Sequence, residues 1–277
     1  MRKRFNSLMI VRSLVVAVLV VGWCSTGAQG QTPATIPPAL AISPETLHYF
    51  AEYKRITHLM EQKEISREAL AAFDHAVDAV VAGKVDAAMD ALEEALRTDI
   101  KKEESRVLWS PYSQLIFDQG QFKRGLEFLQ NISLQQPKLA YVHTFLASTY
   151  GMYAGWLKDR DRQAMLRVSN QSLDEYEVSL ALDPNSFQAL MGHAIYLSYV
   201  PGKEMVWEAE FRKLIAMRPA DTHGFPFSSV YYAFIEGLIR SGQEDRARLV
   251  LNEGLKLYPK SAGLLELDGK LTQRASK

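Results

Sequence analysis

The sequence predicts an all-α protein: a solenoid of about five helix hairpins, with an N-terminal helix in front and a capping helix behind. Three observations carry this. First, a glycine stands seventeen residues before a helix-ending position four times over, at Gly83 and Ile100, Gly120 and Pro137, Gly202 and Pro219, and Gly242 and Pro259. Glycine is only 16 of 277 residues, so the recurrence is not chance. Second, the apolar residues between these marks repeat with the period of a helix. Third, no segment alternates apolar and polar residues as a half-buried strand would.

The first element is a leader. Arg2, Lys3 and Arg4 precede an apolar stretch from Ser13 to Cys24, and small residues follow through Gly30. Residues 1–30 therefore read as a signal peptide, with Ala28-Gln29-Gly30 as the cleavage pattern and Gln31 as the mature start. Left uncleaved it would be a membrane anchor, although a spanning helix needs about 20 apolar residues and Arg12 interrupts this one. The expected location is the bacterial periplasm or the secreted fraction, with membrane contact only through an uncleaved leader. Cys24 is the sole cysteine. After cleavage there is no disulfide, thiol nucleophile or cysteine metal site, and the fold rests on its core.

Composition excludes several partners. The chain is 47% hydrophobic and 23% charged, an ordinary globular balance. Setting aside the four basic residues of the leader leaves 28 basic against 32 acidic. A mildly acidic body has no electrostatic reason to bind nucleic acid or anionic lipid.

Residues 31–42 carry Pro33, Pro37 and Pro38 and read as a Pro-rich linker. An N-terminal helix over 43–65 follows. Ser43 is its N-cap, Pro44 its first helical residue, and Leu47, Phe50, Ala51, Leu59 and Met60 its apolar face. The hairpin domain spans 66–274, with units near 66–100, 106–137, 140–184, 187–219 and 228–259. In four of the five units a glycine takes the tight turn between two helices. A proline then stops the second helix in most of them. The second helices show their faces plainly: Val85, Ala88, Leu92, Ala95 and Leu96, then Phe122, Leu126, Leu129 and Ile132, and finally Ala247, Val250, Leu251 and Leu255. A cap over 261–274 is expected to start at Ser261 and to turn Leu264, Leu265 and Leu271 inward.

These segments resemble the tetratricopeptide repeat. A small residue stands five positions after three of the turn glycines, as Ala88, Gly125 and Ala247. A bulky one stands nine after each, as Leu92, Leu129, Phe211 and Leu251, while Trp109 and Tyr231 open two first helices. The resemblance covers about Ser66 to Pro259 and implies a right-handed α-solenoid. Two units depart from it. Trp207 occupies a small-residue position, so the fourth pair is expected to splay. The third unit lacks the turn glycine and is about ten residues longer than the usual 34, with the excess near Gly151–Arg167. Longer helices or a projecting loop would absorb it. Asp221–Phe227 is a further spacer.

No motif carries chemistry. His48, His58, His75, His143, His193 and His223 show no metal-ligand spacing, and no nucleophile elbow, phosphate loop or dinucleotide fingerprint occurs. Asp159-Arg160-Asp161 matches a metal-binding D-x-D only formally. The sequons at Asn131 and Asn170 fall on second helices. The chain is expected to be no enzyme, with no catalytic residue, metal or cofactor.

By repeat register the first helices present Gln114, Tyr141, Ser148, His193, Tyr196, Tyr199, Tyr232 and Glu236 to a groove, with Tyr153 and Trp156 as rim or lid contacts. Tyrosine joins an apolar face to a polar tip and suits recognition. The family's basic grip on a C-terminal carboxylate is absent, since Phe73, Val77, Pro111, Tyr141 and Phe145 stand at its positions. The resemblance implies a scaffold or adaptor that holds a protein or peptide in its concave groove; with the leader and the aromatic groove residues, the expectation is an exported one whose partner belongs to the cell envelope. The alternative is a periplasmic solute-binding accessory protein of a membrane transporter, taking a small apolar ligand.

Overall fold

The computed structural model describes residues 42–60, 64–217 and 227–275. The expected leader, residues 1–30, lies outside them, as do most of the Pro-rich linker, the spacer before Phe227, His223 and Pro219. The described residues hold twelve α-helices and no strand. They fall into two units, divided between Asp183 and Pro184.

The N-terminal unit begins with α1, Pro44–Thr57. Ser43 caps it, accepting from the Thr46 N–H at 3.1 Å, with Pro44 in the first turn. The helix is shorter than the 43–65 expected. Its buried face also differs: Thr46, Phe50, Tyr53, Ile56 and Thr57 point inward, while Leu47, Ala51 and Leu59 face solvent. Aromatic Tyr53 and the threonines define the stripe, and the leucines only flank it.

Three hairpins follow: α2 (Arg67–Val81) with α3 (Val85–Thr98), α4 (Trp109–Gln119) with α5 (Phe122–Gln135), and α6 (Ala140–Leu157) with α7 (Arg162–Leu182). A short 3-10 segment, Glu103–Leu108, joins α3 to α4. Ser66 caps α2, and its N–H donates to the buried carboxylate of Asp99 beyond α3. The two ends of the first hairpin are thereby tied. Ala88, Leu92, Ala95 and Leu96 are all buried, as are Phe122, Leu126, Leu129 and Ile132. An aromatic core joins the hairpins: Trp109 stacks on Phe145 at 4.9 Å and Tyr112 meets Phe128 edge-on at 5.3 Å.

The long third hairpin absorbs its extra residues as helix, not as a loop. Asp161 of the D-x-D triplet is the N-cap of α7, accepting from the Ala164 N–H at 2.9 Å. The triplet thus has a structural use. The seam between α6 and α7 is laced by hydroxyls. Thr144 and Ser179 meet at 2.7 Å, Ser179 donates to the Ala140 carbonyl at 2.8 Å, and Ser172 donates to the Ala147 carbonyl at 2.8 Å. Small polar residues let the two backbones approach, and the bonds satisfy buried groups.

The C-terminal unit holds α8 (Phe187–Leu197) with α9 (Glu204–Ala216), α10 (Ser228–Arg240) with α11 (Glu244–Leu257), and α12 (Ala262–Ala275). Trp207 is fully buried beside Phe211 and Phe234. The space for its indole comes from Gly237 on α10, where a β-carbon would stand 3.3 Å from the ring. In α12, Leu264, Leu267 and Leu271 are buried, whereas Leu265 is half exposed. The inward stripe runs i, i+3, i+7, and Leu265 lies a third of a turn off it.

All four repeat glycines adopt positive φ, from +64° to +80°. At Gly242 the Gln243 N–H also reaches back to the Leu238 carbonyl at 2.8 Å, satisfying the end of α10. A side chain at Gly242 would meet nothing within 4 Å, so only its backbone resists substitution. Gly242→Ala is expected to cost about 1–2 kcal/mol in chemical denaturation. A neutral result would mean that the turn relaxes freely.

Candidate functional site

In the C-terminal unit the residues expected to line a groove separate into packed and exposed sets. His193 is buried on α8, its Nδ1 2.7 Å from Glu210 of α9, and so fastens a hairpin. Tyr232 is buried on α10, against Gly263 of the terminal helix. Tyr196 and Glu236 are half-buried. Tyr199 is 53% exposed and stands one residue beyond Ser198, the C-cap of α8. The guanidinium of Arg240, at the end of α10, lies 3.8 Å from its ring centroid. Arg240 also donates to the Ser198 hydroxyl at 2.8 Å and lies 4.0 Å from Glu236. The structure therefore joins Tyr199 and Glu236 through an arginine that the sequence reading did not select. Its position in the last turn of a helix, where a cation complements the dipole, hid its second role.

In the N-terminal unit Gln114 donates to Asp118 at 2.9 Å. Tyr141 is buried beneath the guanidinium of Arg106 at 4.7 Å. Ser148 bonds to Tyr176 at 3.0 Å across the third hairpin. Tyr153 stacks on Phe122 at 5.1 Å, and Trp156 lies 6.0 Å from both, with Arg160 4.3 Å over its ring. Tyr153 and Trp156 thus belong to the end of a lengthened helix, fastened to the preceding turn. Phe73, Val77, Pro111 and Phe145 are buried, so none is available to grip a terminal carboxylate.

His143 has an acceptor at each ring nitrogen, Glu175 at 2.7 Å and the Pro137 carbonyl at 3.2 Å. Only the imidazolium donates at both. The hydrogen bond to Glu175 raises its pKa, burial opposes, and the Pro137 carbonyl raises it further. A histidine raised above its unfolded value of about 6.5 gives stability that is complete below that pH and is lost as pH rises through the folded value. Thermal denaturation should therefore show the His143→Gln variant losing most, relative to the parent, in mild acid. A difference independent of pH would contradict the imidazolium.

Among the described residues no group of three His, Cys, Asp or Glu could hold a metal ion, and no helix is long and apolar enough to cross a membrane.

No protein-family model and no curated protein matches the chain. Solved structures do. A thermophilic TPR protein of Thermus thermophilus superposes with a TM-score of 0.54 at 16% identity, over 74% of this chain and 99% of that one. MamA protein gives 0.46 at 16% identity, over 72% and 96%. A tetratricopeptide repeat protein of Parabacteroides merdae gives 0.34 at 18% identity, over 76% and 88%. Together with the glycine turns and the small-to-bulky spacing of the second helices, the first of these likenesses fixes the architecture: the chain has the tetratricopeptide-repeat fold.

Proposed function

We propose that this protein is an exported scaffold that holds another polypeptide of its compartment and carries out no reaction itself. The observation that carries the reading is the exposed ring of Tyr199 under Arg240, flanked by Glu236. An aromatic face, a cation and a carboxylate in one patch offer apolar contact and directional bonds together, the mixture that recognition surfaces favour. Stacked helix pairs present such residues on extended surfaces suited to peptides. The export half of the reading rests on the leader of residues 1–30.

Affinity capture of tagged protein from its own envelope fraction tests both halves. One near-stoichiometric polypeptide should be recovered and should fall by about tenfold or more with Tyr199→Ala or Arg240→Ala, as expected for truncated hot-spot residues. Recovery indifferent to both substitutions would sink the placement. Protein found only in the cytosol would sink the export.

A further inference from the structure

We infer that the face formed by α2 and α4 is a helix-binding surface, that α1 is its resident occupant, and that it accepts a partner's amphipathic helix of the same chemistry. The two terminal helices pack in different ways. Helix α12 lies on α10 and α11, both helices of the last hairpin, and so extends the stack. Helix α1 packs chiefly on α2 and α4, the first helices of two successive hairpins. It thus bridges two first helices, as a ligand does in helix-in-groove recognition.

The contacts define the ligand. Thr46, Phe50, Tyr53 and Thr57 form one buried stripe at i, i+4, i+7 and i+11. Phe50 lies over Phe73 with ring centroids 6.4 Å apart. Tyr49 stacks on Tyr53 at 4.7 Å. At the start of the helix the Thr46 hydroxyl donates to Asp118 at the end of α4. At its other end Lys54 lies 3.5 Å from Asp74 and 3.8 Å from Asp78, and His58 lies 2.9 Å from Asp74. The surface thus reads a helix with aromatic residues along one stripe, a hydroxyl near its N-terminus and basic residues along the flank. Burial raises the pKa of Asp118, and Glu45 adds to the rise despite the Gln114 bond. A hydroxyl suits that carboxyl in either protonation state.

A tethered occupant competes at an effective concentration in the millimolar range, so an external helix gains access only when α1 is weakened. The test uses the full chain and a fluorescein-labelled synthetic peptide of residues 43–60, read by anisotropy. The parent chain should bind it weakly. The variant Phe50→Ala with Tyr53→Ala should bind it about tenfold more tightly or better, because its own occupant no longer fills the surface. Equal binding to the two chains overturns the inference. So does a variant whose loss of helical circular dichroism exceeds the length of α1, since α1 would then be a core element. The surface belongs to the N-terminal unit, and the peptide measurement makes no use of Tyr199.

Discussion

Trp207→Ala is expected to lower stability by about 3–5 kcal/mol, the range for deleting a large buried aromatic. The indole is fully buried, meets Phe211 at 6.1 Å and Phe234 at 6.1 Å, and fills the space that Gly237 leaves open. The effect should be coupled. Gly237→Ala alone places a methyl 3.3 Å from the ring and 3.3 Å from the Ser198 β-carbon. That crowding opposes the gain of about 1 kcal/mol that alanine brings to a helix interior. With Trp207 already truncated, the ring contact is gone and Gly237→Ala should become more favourable. A double-mutant cycle in urea measures this. Additive effects would mean that the indole and the glycine are not packed together.

The second large effect is expected at Glu93, whose carboxylate is buried between helices. It accepts from Tyr112 at 3.1 Å and from the Arg124 Nε at 2.8 Å, and lies 3.5 Å from Arg97. Removing it strands a buried phenol and a guanidinium, for a loss of about 3–5 kcal/mol in Glu93→Ala. Glu93→Gln keeps an acceptor for Tyr112 and should lose less. Arg124→Ala should also lose less, because water reaches Arg124. Denaturation of the three variants checks the order, and equal losses would contradict a network centred on the carboxylate.

Most of the hairpin frame was legible because its marks are local. A positive φ selects glycine, and Gly83, Gly120, Gly202 and Gly242 all have one. The faces of the second helices follow from period alone. What was hidden depends on partners distant in sequence. Trp207 at a small-residue position predicts a splayed pair, whereas Gly237, thirty residues later, leaves room for its ring. The hydroxyl seam of the third hairpin has no apolar stripe to announce it. Apolarity alone predicts Leu265 and Leu47 inward, whereas Leu267 and Tyr53 hold those stripes. The residues expected to line a groove were the least legible. Register put Tyr141 and Tyr232 on a presenting face, but a neighbouring arginine or glycine drew each into packing. Tyr199 stayed outside because α8 ends before it.

The most direct test of the scaffold is photo-crosslinking in the living source cell, with benzoylphenylalanine placed at Tyr199 or, as control, at Leu134, which is 79% exposed on α5. One discrete adduct with a second polypeptide at position 199, and none at 134, is the result expected. Adducts of equal yield at both positions, or at Leu134 alone, would contradict a binding surface built on Tyr199 and Arg240.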